Sequence, residues 1–183
     1  MIQKDKGRMM AHWTIHKFND PTNQIGVLGQ KGVPLEQLLR DFAGDFTGKI
    51  EFEKNLLLNE GINALWQLVC LSGGCAVYHF DAANAYIGVG DSSTAAAASQ
   101  TALQAAGNKL YLAMDSTYPT YGTSQKATWR STFSSAQANF AWEEITVASG
   151  NSDSSVNLNR KVSAMGTKTS GSTWIASLDI TLA

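Results

Sequence analysis

The sequence predicts a mainly β chain with an α-helical N-terminal part, its body an antiparallel β-sandwich of jelly-roll-like type. Three observations carry that expectation. Past Gly107, short stretches of alternating apolar and polar residues recur between loops rich in Ser, Gly and Asn, without long helices between them. Strands at that spacing point to an antiparallel sandwich or barrel. Before Gly107, helical periodicity concentrates in two stretches, Pro34–Phe42 and Asn55–Leu71. Between the halves, Tyr86-Ile-Gly-Val-Gly-Asp-Ser-Ser-Thr94 reads as a strand, Tyr86–Val89, running into a tight turn.

The chain in order supplies the detail. Residues 1–19 hold four basic side chains (Lys4, Lys6, Arg8, Lys17) against one acidic one, Asp5. His12 and His16 have the spacing of a metal pair on a helix, but no glutamate follows His12. The alternation through Trp13-Thr14-Ile15-His16 suits a short strand or an extended arm instead. Asn19-Asp-Pro-Thr-Asn23 is a turn cluster, because Pro21 fixes φ and the Asn and Asp side chains bond nearby backbone. Glycines 26, 29 and 32 lack the dinucleotide-binding order, and Gln24–Val33 is expected as a loop lying over a surface.

Pro34 suits a first helical turn. Leu35, Leu38, Leu39 and Phe42 then form one apolar face, which must dock on the main domain or on a neighbouring subunit. Lys49–Lys54 alternates as a strand does. In the helix expected over 55–71, Leu58, Ile62, Leu65, Trp66 and Val69 recur at helical spacing and read as a core stripe. Ser72-Gly-Gly ends it. Asp91–Gln100 is alanine-rich, which favours helix, with Thr101–Ala105 closing it as one turn. Strands are expected at Leu110–Met114, Lys126–Phe133, Phe140–Val147, Val156–Ala164 and Thr173–Leu182. In the last, Trp174, Ala176, Leu178, Ile180 and Leu182 share the face that should enter the core.

Composition bounds the function. The 183 residues suit one domain, divided into an N-terminal arm with its short helix (1–48) and a sandwich domain that includes helix 55–71 (49–183). Charged residues, at 16%, fall below the roughly 25% usual for soluble domains. A surface of Ser, Thr, Asn, Gln and Gly suits sandwiches and stable extracellular or virion proteins, and a charge-poor chain often hides surface against partners. A formal net charge of −1 provides no global field for nucleic acid. No apolar run is long enough to span a membrane, and the first residues lack the apolar core of a signal peptide. Synthesis in a cytoplasm without export follows as the expectation. Cys70 and Cys75, separated by Leu-Ser-Gly-Gly, are expected as two thiols.

No catalytic centre emerges. Nucleophilic catalysis needs Ser or Cys beside a base and an orienting acid, and the histidines are His12, His16 and His79 alone. Glu143 and Glu144 are adjacent, so in a strand they face opposite sides and cannot flank one glycosidic bond. Glu144 should instead pair with a strand neighbour such as Arg130 or Arg160. Asp91 is expected to cap its loop rather than hold a cation. No enzyme activity, cofactor or metal site is expected, and binding or assembly is the better class.

Three blocks carry a resemblance: Asn55-Leu-Leu-Leu-Asn-Glu-Gly-Ile-Asn63, Asn84-Ala-Tyr-Ile-Gly-Val-Gly-Asp91, and Ala138-Asn-Phe-Ala-Trp-Glu-Glu-Ile-Thr-Val147 with Leu158-Asn-Arg-Lys-Val162. Together they resemble a family of small structural proteins of tailed bacteriophage virions, over residues 50–183. The third block is also similar to β-sandwich modules at the attachment end of phage tail fibres. The resemblance implies a capsid decoration (cement) protein on the outer surface of the shell, a homotrimer whose partner is the major capsid protein. Its alternative is a tail, baseplate or fibre-attachment component. The candidate partner-binding residues are the basic Lys4, Lys6 and Arg8, with Trp13, and the helix face Leu35, Leu38, Leu39 and Phe42.

Overall fold

The computed structural model describes residues 9–53, 55–70 and 78–182. Strand β10 (Ser172–Leu182) organises it. Alternation sends Trp174, Ala176, Leu178 and Ile180 to one face, where all four are buried, while the terminal Leu182 stays exposed. Antiparallel to β10 on one side runs β1 (Met9–Asn19), and on the other β7 (Lys126–Phe133). With β2 (Phe46–Glu53) outside β1 and β6 (Thr120–Thr123) outside β7, they form a five-stranded sheet I in the order β2-β1-β10-β7-β6. Sheet II has the order β3-β9-β8-β4-β5. Its strands are β3 (Leu56–Leu57), β4 (Tyr86–Gly90), β5 (Lys109–Ala113), β8 (Ala141–Ala148) and β9 (Asn159–Thr167). Strands consecutive within a sheet pair antiparallel at β1–β2, β4–β5, β6–β7 and β8–β9. Neither sheet by itself carries the 4-1-2-3 order of a Greek key.

The inward faces of both sheets share one core. Trp13, Trp129, Phe133 and Trp174 enter it from sheet I, and Ile87, Trp142, Val147 and Met165 from sheet II. Trp142 is its centre. Its ring meets Phe133 at 4.7 Å and Trp174 at 4.8 Å, both edge-on, a geometry that adds about 0.5–1.5 kcal/mol per pair beyond burial. Its indole N–H donates to the Ala138 carbonyl at 3.0 Å, so the buried polar end is satisfied.

A second, smaller core covers the outer face of sheet I. Helices α1 (Gln24–Gln30) and α2 (Leu35–Asp41) lie there, burying Ile25 and Leu38 against Phe18 and Ile175. Helix α1 replaces the loop expected over 24–33. Glycine had argued against helix, but tight packing required it: a Cβ on Gly29 would come within 2.6 Å of Thr132 Cγ2 on β7.

Other expectations change too. Residues 9–48 do not form an arm, because β1 is an interior strand paired along its length with β10 and over most of it with β2. Helix α3 (Asn59–Cys70) starts four residues later than expected, since Leu56 and Leu57 pair with β9 instead; Leu71 lies outside the described residues. Its expected core stripe is broken: Leu58 is buried, but Trp66 is 61% and Val69 73% exposed. The buried positions of α3 are Gly61 and Ala64. Strand β6 forms where a loop was expected. The alanine-rich stretch 91–105 contains no helix, for a reason that lies in sheet II.

That reason is Glu144. Its carboxylate, fully buried on β8, accepts the backbone N–H of Gln104 at 3.0 Å and of Ala105 at 2.7 Å. Arg160 on β9 bonds it through Nε at 2.7 Å and spends its two remaining nitrogens on Gln100 Oε1 and the Thr94 carbonyl. Backbone groups that a helix would use internally are thus held by tertiary partners. The pairing of Glu144 with Arg160 is one of the two alternatives the strand pattern allowed. Gly90, across from Glu144, leaves room for this carboxylate, since a Cβ there would lie 2.5 Å from Oε1.

Candidate functional site

Two concave surfaces meet at residues 118–121. On one side Tyr118 and Thr120 wall a polar cleft, and on the other Pro119 and Tyr121 line an apolar groove.

The polar cleft follows from strand alternation. On β1, β10 and β7 the residues facing away from the core include Thr14 and His16, Ser177 and Asp179, and Lys126, Thr128 and Arg130. Pairing places Thr14, Ser177 and Arg130 side by side across the three strands. The start of α2 (Pro34, Leu35, Glu36) bounds the cleft, whose volume is about 380 Å³. That lies within the roughly 300–1,000 Å³ of small-ligand sites.

Arg130 anchors the cleft. Its Nε donates to Asp115 Oδ2 at 2.7 Å, and its Nη2 donates to the Gly29 and Val33 carbonyls at 3.1 and 3.0 Å. Asp115 also accepts the Thr132 N–H at 2.8 Å and hydroxyl at 2.7 Å. Burial pushes the Asp115 carboxyl's pKa up, against the opposing pull of Arg130 and Thr132. The Tyr118 ring covers the guanidinium at 4.4 Å. Arg130 Nη1 is buried without a hydrogen-bond partner, and so is His16 Nδ1. Burial, then the nearby Lys49 charge, holds the His16 pKa below its ordinary value, with Glu51 opposing. Asp179, in contrast, is engaged, accepting from Thr128 Oγ1 and Lys126 Nζ at 2.5 and 3.1 Å.

The apolar groove, about 610 Å³, is lined mainly by Leu65 and Leu68 of α3, Phe80, Pro119, Tyr121 and Trp129, with His79 and Asp81 as its polar members. Trp66 and Val69 of the same helix are exposed, and Tyr121, within the lining, is 83% exposed. Cys70 is exposed as a free thiol at the helix end; Cys75 lies outside the described residues.

Five of the eight residues expected at a partner contact pack inside the chain. Trp13 is completely buried in the main core, and Leu38 is buried in the smaller one, with Leu35, Leu39 and Phe42 packed against it. The α2 face therefore docks on its own sheet. Lys4, Lys6 and Arg8 lie outside the described residues. His12 and His16 share a strand, which puts their backbones roughly 13 Å apart, and His12 faces Glu51 at 3.7 Å. Among the described residues, no group of three or more His, Cys, Asp or Glu side chains could hold a metal ion. Asp91 accepts from Asn108 Nδ2 at 2.8 Å, as a loop cap does. No helix among the described residues is long and apolar enough to cross a membrane.

Sequence reasoning located neither concave surface, and nothing local marks Asp115, a loop residue, as the partner of Arg130.

Comparison with known proteins found nothing to set beside this fold: no family model matches, and neither a curated protein nor a solved structure matches.

Proposed function

We propose that this chain is a non-enzymatic virion protein that decorates the outer surface of a capsid, binding the major capsid protein and stabilising the shell. The observation that carries the reading is the exposed apolar surface at α3 and Tyr121, beside a groove of about 610 Å³. Large exposed apolar side chains beside an apolar groove support an interaction site, and a low charge content suits a chain with surface hidden against partners. The resemblance of residues 50–183 to small phage structural proteins supplies the partner. We read the two sheets as leaves of a sandwich because their inward faces share one core. A homotrimer is the proposed assembly, since decoration proteins commonly occupy three-fold positions.

Quantitative mass spectrometry of particles purified from cells carrying the complete encoding genome tests this directly. The expected result is hundreds of copies per particle, lost with the Trp66→Asp, Val69→Asp double variant. Absence from the particle, or a strictly monomeric state both in solution and on it, overturns the reading. A handful of copies would favour the second reading, a tail or baseplate attachment component. The polar cleft beside α2, shaped for a small ligand rather than a flat shell, favours that alternative.

A further inference from the structure

The polar cleft of sheet I combines a strand-built floor with buried polar groups that lack partners. Seven of its lining residues come from three adjacent strands in fixed register, so the floor is rigid rather than a loop surface. Two of them, Arg130 and His16, are buried and keep a nitrogen without a partner. A buried unpaired polar group costs free energy, so a molecule that placed hydroxyls there, able to accept from Arg130 and to pair with His16 Nδ1 in either tautomer, would recover part of that cost.

Charge selects among candidate molecules. Arg130 is neutralised by Asp115 and Lys126 by Asp179, at 2.7 and 3.1 Å, and Glu36 adds a negative charge at the rim. The cleft thus has no surplus positive charge to hold an anion. It has hydroxyls on Thr14, Thr128 and Ser177, and an apolar wall of Pro34, Leu35 and the Tyr118 ring, which its contact with Arg130 holds in place. Hydroxyls for hydrogen bonding beside an aromatic and aliphatic wall match a neutral ring that is polar at its edge and apolar on its C–H face.

We propose that this cleft binds a neutral sugar, the ring lying against Tyr118 and its oxygens reaching toward Arg130, Thr14 and Ser177. The cleft and the apolar groove share no lining residue, so sugar binding and shell binding can be lost separately.

The test is an amide-resolved NMR titration of the full chain. The probes are the methyl glycosides of glucose, galactose, mannose and N-acetylglucosamine, with acetate and inorganic phosphate as anion controls. The expected result is saturable movement of the Thr14, Thr128 and Ser177 amides with at least one glycoside. Ser177→Phe, which fills the cleft from an outward-facing position, should weaken that binding at least tenfold with no change in thermal midpoint. Thr14→Ile serves the same purpose if the phenylalanine perturbs folding. Tyr121→Ser, in the other groove, should bind as the parent does. Movement with none of the glycosides, movement with the anions alone, or undiminished binding in the filled variants overturns the proposal.

Discussion

Arg130 and Arg160 are two solutions to one problem. Each is a buried arginine on an outward face, paired to a buried carboxylate and carrying a connecting segment across its sheet. Arg160 and Glu144 hold residues 94–105 on sheet II, and every guanidinium nitrogen is used. Arg130 and Asp115 hold the end of α1 and the residues after β5 on sheet I, and one nitrogen is left over. The first pair is sealed and the second lies at the floor of a cleft. A saturated ion-pair network is purely structural, whereas an unsaturated one beside open volume leaves room for a ligand. A third buried cation, Lys168, has no carboxylate in hydrogen-bond contact. It donates to the Ser134 carbonyl at 2.8 Å and Asn139 Oδ1 at 2.9 Å, and burial lowers its pKa to about 8.

The comparison can be broken at several points. The largest effect should come from deleting residues 1–48, which removes β1 from the interior of sheet I and the Gly29 and Val33 carbonyls from Arg130. Loss of any cooperative unfolding transition is expected by circular dichroism. A deleted chain that still melts cooperatively would restore the arm.

Next, Glu144→Ala should cost about 3–5 kcal/mol in denaturant unfolding, because it strands a buried guanidinium and frees two backbone donors. Asp115→Ala should cost less, about 2–4 kcal/mol, since burial offsets more than Arg130 and Thr132 supply to this carboxylate and pushes its pKa up. Equal or reversed costs would show that the spare nitrogen does not mark the weaker network.

Lys168 gives a pH signature. Its folded pKa is depressed from 10.5 to about 8, so between those values the unfolded chain binds the extra proton. Stability should therefore rise with pH across that window, by on the order of 1–3 kcal/mol. Below pH 8 both states are protonated and the term is constant. Lys168→Met should flatten the rise when unfolding free energy is measured across the window.

The smallest effect on stability belongs to Trp66→Asp, expected to stay within about 0.5 kcal/mol of the parent as an exposed substitution. A loss of more than 1 kcal/mol would place Trp66 in an internal contact.

How much was legible varies with how local the cause is. Strands β7 and β10 could be read almost to the residue, because alternation reports a two-faced environment directly. Leu35, Leu38, Leu39 and Phe42 were visible as one apolar face, but not that it docks on Phe18 and Ile175 of the same chain. Trp66 and Val69 have the spacing of core residues and are exposed, since periodicity shows that a face is apolar and not what covers it. Glu144 could be matched to two arginines by strand position, and only pairing in space selects Arg160.

By itself the sequence determined the mainly β character, the two-faced strands, the α2 helix and the turn at Asn19–Asn23, each set by residues within a few positions of one another. Tertiary structure decided the rest. It made β1 interior through pairing with β10 about 160 residues away, turned Gln24–Gln30 into a helix through contact with β7, and kept 91–105 irregular through Glu144 and Arg160. These outcomes depend on partners distant in sequence, whose hydrogen bonds and close packing outweigh local preferences of at most about 1 kcal/mol per residue.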